Sequence, residues 1–213
     1  MVYTAGQIGG INLCGRVNSM IAQQESLQVK EKEEALITGE ELAAMGDLGR
    51  CELVAGRIVK LSPTKMPHGR YEFEMARLLG DFVEKHDLGV VMVGEVGVYT
   101  RRDPDTVRGA DVLYISHERL ARATPGGFMD VAPELIVEVM SPSDRWSEVR
   151  KKIKEYFEVG VTVVLIVEPE EQTIVLYRSP TDIQEFTAND TLTVVDILPD
   201  FNLPLARLWA NLL

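Results

Sequence analysis

The stretch PELIVEVMSPSDR, residues 133–145, decides how this chain folds. Leu135, Ile136, Val137, Val139 and Met140 form a short apolar run bounded by proline on both sides, which is the pattern of a buried strand. Glu138 stands inside it. An ionised carboxylate in an apolar interior costs several kcal/mol unless a cation, a metal or a proton meets it. The run predicts both a central strand and a partner for Glu138.

Working outward from it, Ser143 or Asp144 is placed to cap a following helix. That helix carries Trp146, Val149, Ile153, Tyr156 and Phe157 on one side and stops at Gly160. "VTVVLIVEP" is then a continuous apolar run, expected as a strand covered on both faces. "TIVLYR" and two weaker strands follow, and "LPLARLWANLL" reads as a closing amphipathic helix. Upstream, Thr38 and Glu41 have capping-box spacing. "CELVAGRIVKLSP" reads as a hairpin turning at Ala55-Gly56. Tyr71, Met75, Leu78, Leu79, Phe82 and Val83 mark one face of a helix from Pro67 to about His86. "VVMV", "VGVYT" and "DVLYIS" are short strand candidates. Helices and strands alternate without internal repeats, so the expected fold is a mixed α/β single domain.

The 213 residues suffice for one good core. Residues 1–35, with the charge run "KEKEE" and no apolar periodicity, are expected to be a loose N-terminal extension, and residues 36–213 the domain. Cys14 and Cys51 have no metal or redox spacing, which points to free thiols in a reducing compartment. No apolar run approaches the roughly 18 residues that span a bilayer, and no leader pattern opens the chain. A soluble, cytoplasmic protein is expected. The net charge of -11 repels nucleic acid at long range, so any contact with DNA requires a local basic patch or a metal.

Three acids lie against apolar runs: Glu52 in the hairpin, Asp111 opening "DVLYIS", and Glu138. Mg²⁺ takes oxygen ligands, commonly one or two carboxylates with water and phosphate. Asp111 and Glu138 are 27 residues apart, room for a strand, a loop with a short helix, and a return strand. Lys152 borders the apolar face of the next helix, three residues after Val149 and four before Tyr156, so its ammonium can reach the strand ends. Carboxylates, a divalent cation and a lysine together suit phosphodiester hydrolysis. Each residue also has a plain structural alternative. Asp111 would be a turn or cap residue, Glu138 solvent-facing or paired with arginine, and Lys152 solvated. His68 would be a surface or capping histidine, and Glu52 an ion-pair partner of Arg57 across the hairpin.

The ordered segments "CELVAGRIVKLSP" at 51–63, His68, "GADVLYIS" at 109–116, "VEVMSPSD" at 137–144, Lys152, Tyr156 and "GVTVVLIVEP" at 160–169 resemble the Uma (Uma-two) family of restriction-endonuclease-like proteins in the PD-(D/E)XK nuclease superfamily. The resemblance runs over roughly residues 38–210 and implies a restriction-endonuclease-like mixed β-sheet flanked by helices. It implies a metal-dependent endonuclease acting on DNA, with Mg²⁺ or Mn²⁺ held by Asp111, Glu138 and Glu52. It implies Lys152 as the catalytic lysine and His68 as a contact to substrate or metal-bound water. Met140 stands where the superfamily usually has its lysine, Ala110 where proline precedes the aspartate, and Glu168 where an aspartate is usual. A homodimer is a further implication, since two strands need two sites, and "LPLARLWANLL" is a candidate interface. The acidic surface supports a different expectation, a non-catalytic nuclease-like module for binding or self-association.

Overall fold

The computed structural model describes residues 35–210, so all but the last residue of the expected extension, Cys14 included, and the last three residues of the chain lie outside the described part. Thr38 caps α1 (Gly39–Ala44) with the full capping box: its side chain accepts from Glu41 N–H, and the Glu41 carboxylate accepts from Thr38 N–H. Strands β1 (Cys51–Val54) and β2 (Arg57–Lys60) pair antiparallel around Ala55 and Gly56, both at positive φ as a tight two-residue hairpin requires. Helix α2 (Met66–Lys85) buries Tyr71, Met75, Leu78, Leu79 and Val83, the expected face.

β3 (Gly89–Arg101) and β4 (Thr106–Ser116) form a long hairpin. "VVMV" and "VGVYT" are therefore one strand, not two. A bulge at Gly94-Glu95, both at positive φ, interrupts the register and had the look of a loop between them. Asp111 does not open a strand, because β4 begins five residues earlier. A short helix α3 (His117–Leu120) leads on to β5 (Leu135–Val139). Helix α4 (Trp146–Val159) then crosses to β6 (Val163–Glu168), which lies parallel to β5. β7 (Thr173–Tyr177) and β8 (Ile183–Phe186) extend the sheet antiparallel.

The eight-stranded sheet runs β2-β1-β4-β5-β6-β7-β8, with β3 along the other edge of β4. On one side α2 packs against Val112, Val137, Val139, Leu165 and Val167. The same cluster includes residues of a two-stranded sheet, β9 (Thr191–Val194) with β10 (Leu198–Pro204), and of α5 (Ala206–Trp209). On the other side Val149, Ile153 and Tyr156 of α4 pack against Ile136, Val164 and Ile166. β6 is covered on both faces, as its unbroken apolar run demands.

Three local expectations are corrected. Neither Ser143 nor Asp144 caps α4; the N-cap is Arg145, without a side-chain bond, because Asp144 accepts from Ser141 N–H in a turn of its own. In the described part of the closing segment the helix is shorter than expected, a single turn (α5) that follows the end of β10 at Pro204, and three strands rather than two follow β7. Leu208 and Trp209 pack inside this chain's own core, with the Trp209 ring edge-on to Tyr71.

Candidate active site

β4 pairs with β3 along its whole length. Its opposite edge is divided: β1 pairs at Val107, and β5 pairs at Val112–Tyr114. Between them, residues 108–111 face the crotch of a forked sheet, where no neighbouring strand completes the ladder. Buried backbone groups still need partners, and side chains supply them. Glu52 accepts from Gly109 N–H at 3.2 Å, Lys152 Nζ donates to the Gly109 carbonyl at 3.2 Å, and Asp111 accepts from Val139 N–H at 2.7 Å. The carboxylates are thus built into the sheet at its point of division.

The same groups form an alternating chain of charge. Lys152 Nζ lies 2.9 Å from Glu52 and 3.2 Å from Glu138. Glu138 also accepts from the Tyr156 hydroxyl at 2.5 Å. Arg108 bridges Glu52 at 2.8 Å and Glu155 at 2.6 Å. Burial opposes charge on Glu52, yet Lys152 and Arg108 outweigh it and hold its carboxyl below the usual range. Burial pushes Glu138 up to about 7; Lys152 opposes the shift, and the charges of Asp111 and Glu52 add to it. Burial disfavours the Lys152 ammonium, but the flanking carboxylates of Glu138 and Glu52 raise its pKa. Tyr156, buried against Glu138, lies well above the ordinary phenol range.

Asp111 turns toward the start of α2. His68 Nε2 lies 3.2 Å from Asp111 Oδ2, and Glu72, one turn along the helix, lies on the other side of the imidazole. Burial works against a charged His68, but the bond and charge of Asp111 outweigh it and raise its pKa. Burial, then Asp111, raises that of Glu72.

The structure therefore brings all five expected residues to one region, though not as one ligand set. Glu52 and Glu138 are engaged by Lys152, Arg108 and Tyr156, while His68, Glu72 and Asp111 offer ligand atoms within 4.8 Å of one another. Lys152 is not solvated, His68 is buried rather than on the surface, and the partners of Glu52 are Arg108 and Lys152 rather than Arg57. Glu72 and Arg108 were not anticipated. The i,i+4 spacing of His68 and Glu72 was the available signal for the first; the arginine in "VRGADV" had none. Five carboxylates (Glu52, Glu72, Asp111, Glu138, Glu155) face two permanent cations (Lys152, Arg108), an excess of negative charge that suits a divalent ion.

Two pockets open here. One, of about 470 Å³, is lined by His68 with Lys65, Tyr71, Met140, Trp146 and Glu168. The other, of about 460 Å³, is lined by Glu72 with Arg50, Thr64, Gly94 and Glu95, the Arg50 guanidinium pairing with Glu95.

A forked mixed sheet between helices, with acids and a lysine at the fork, defines a restriction-endonuclease-like fold. The crystal structure of "a putative nuclease belonging to DUF820" from Anabaena variabilis is similar, with a TM-score of 0.69 over 82% of this chain and 98% of that one at 18% identity. The Uma2 family, described as "Putative restriction endonuclease", matches residues 39–206, and the chain belongs to that family. No curated protein matches the chain.

Proposed function

We propose that this protein is a metal-dependent endonuclease that hydrolyses phosphodiester bonds in DNA. The observation that carries the reading is the Lys152 ammonium wedged between Glu52 and Glu138 at the sheet fork, with Asp111 in the adjoining position of β4. Asp111 and Glu138, with Glu52 behind them, are the carboxylates for Mg²⁺ or Mn²⁺, which when bound would polarise a phosphate oxygen and activate water. Lys152 is held charged, so it stabilises negative charge developing on the phosphate or orients the attacking water. Tyr156 fixes the Glu138 carboxyl through its hydroxyl. Glu138 titrates near neutrality and can take up or release a proton beside Lys152. His68 stands at the pocket wall, in reach of substrate or of water.

A chain of net charge -11 has no long-range pull on DNA, so capture depends on the local cations and the metal. A double-strand cut needs two such sites, and a homodimer is the assembly this reading calls for. Leu208 and Trp209 are buried in the core and contribute nothing to such an interface, while the last three residues of that segment lie outside the described part. Among the described residues no helix is long and apolar enough to cross a membrane.

Supercoiled plasmid, a single-stranded oligonucleotide and a small phosphodiester, each with Mg²⁺, Mn²⁺ or chelator, test the proposal. Metal-dependent nicking of the plasmid is the expected result. Turnover of the small ester alone would replace DNA by a small substrate. No turnover of any of them, with Mn²⁺ still bound, would favour the non-catalytic module that the acidic surface suggests.

A further inference from the structure

The geometry points to a second cation position, on the far side of Asp111 from Glu138, formed by His68 Nδ1 and the Glu72 carboxylate with Asp111 orienting the imidazole, and suited to a divalent transition ion rather than Mg²⁺. His68 carries the argument. The residue is only 8% exposed, and its Nδ1 has no hydrogen-bond partner among the described residues. A buried ring nitrogen without a partner is rare and needs an explanation. Its Nε2 lies 3.2 Å from Asp111, so the natural tautomer donates Nε2–H to that carboxylate. Nδ1 then carries a lone pair, and it faces Glu72 Oε2 at 3.9 Å. That separation is too long for a hydrogen bond. It lies within the span of two ligands each about 2.1 Å from a common ion. A metal-binding histidine characteristically donates its other nitrogen to a carboxylate, which is the arrangement seen here.

Glu72 is also held in place. Its Oε1 accepts from Gly94 N–H at 3.1 Å, at the bulge of β3. Bulges re-aim groups beside functional sites, and here the bulge fixes one carboxylate oxygen and leaves Oε2 toward His68. The i,i+4 spacing on α2 places both side chains on one face. The pocket lined by Glu72 and Arg50 reaches this carboxylate from outside. An imidazole with a carboxylate fits Mn²⁺ or another borderline transition ion, whereas Mg²⁺ prefers oxygen throughout.

The inference shares Asp111 with the proposed nuclease centre but does not depend on DNA cleavage, so its test reads metal coordination. Mn²⁺ is added to chelator-stripped full-length protein, and pulsed electron paramagnetic resonance looks for coupling to an imidazole ¹⁴N nucleus. Coupling is expected in the wild type, lost in His68→Gln and kept in Glu138→Gln. Calorimetry should show Mn²⁺ affinity at this site falling at least about tenfold in Glu72→Gln. Wild-type protein that binds Mn²⁺ without nitrogen coupling, or binds none, would overturn the inference whatever the variants do. So would a folded Glu72→Gln protein with unchanged affinity and coupling. Loss of the nitrogen-coupled ion in Glu138→Gln but not in Glu72→Gln would place the ion on the nuclease centre alone. Failure of plasmid cleavage with the coupling intact would count against the proposed function and leave this site standing.

Discussion

The two halves of strand β4 are equally buried and chemically opposite. Val112, Leu113, Tyr114 and Ile115 are at most 3% exposed, and Val112, Leu113 and Tyr114 each pair with a strand on both edges. Thr106, Arg108 and Asp111 are at most 5% exposed, but Arg108 and Asp111 lie where the second edge is missing. The apolar half gains stability from burial alone. In the polar half, side chains take over the backbone's hydrogen bonds, and each buried charge needs its neighbour. Burial therefore does not by itself mark a core residue; whether the ladder continues decides which chemistry a buried position needs.

Removing a cation from the polar half should break it most severely. Lys152→Met leaves Glu52 and Glu138 short of a partner, with an expected loss of roughly 3–5 kcal/mol in urea unfolding at pH 8. In the dry half, Leu113→Ala should cost about 3–4 kcal/mol through lost burial and a cavity, nearly the same at pH 5 and pH 8.

The halves should also differ in their response to pH. Glu138 titrates near 7 in the folded chain against 4.5 for the free side chain, so the folded state binds its proton more tightly. Its contribution is fully present below about pH 4.5 and is lost as pH rises through 7. The difference corresponds to at most about 3 kcal/mol. Unfolding measured in chelator between pH 5 and 8 should show this fall in the wild type and a flatter profile in Glu138→Gln. A smaller effect is expected outside both halves: Thr38→Ala removes the cap of α1 and should cost about 1 kcal/mol, with metal binding unchanged.

This contrast also explains what the sequence could and could not reveal. Glu138 was conspicuous because a carboxylate interrupts an apolar run, and Lys152 because its helical spacing borders an apolar face. The capping box at Thr38 and the stop at Gly160, in the left-handed region, are local chemistry and were readable as such. The fork is a tertiary property. Nothing in the periodicity of "TVRGADVLYIS" says that two different strands share one edge, so Arg108 gave no sign of its role. Glu72 looked like one more polar residue on a helix until the bulge of β3 was folded against it. At the C-terminus the apolar spacing served two periods. Phe201, Leu203 and Leu205 are buried and alternate with exposed Asn202 and Pro204, so the helical reading that began at Leu203 started inside a strand that ends at Pro204.

The central claim is that the fork residues form a metal-dependent phosphodiesterase centre with Asp111 at its heart. Plasmid nicking in Mn²⁺ by wild type and by Asp111→Asn, with folding of both checked by thermal unfolding in chelator, tests it most directly. The account predicts wild-type nicking abolished by chelator, and a folded Asp111→Asn protein slower by about 10³-fold or more. A folded variant that nicks as fast as wild type would contradict it.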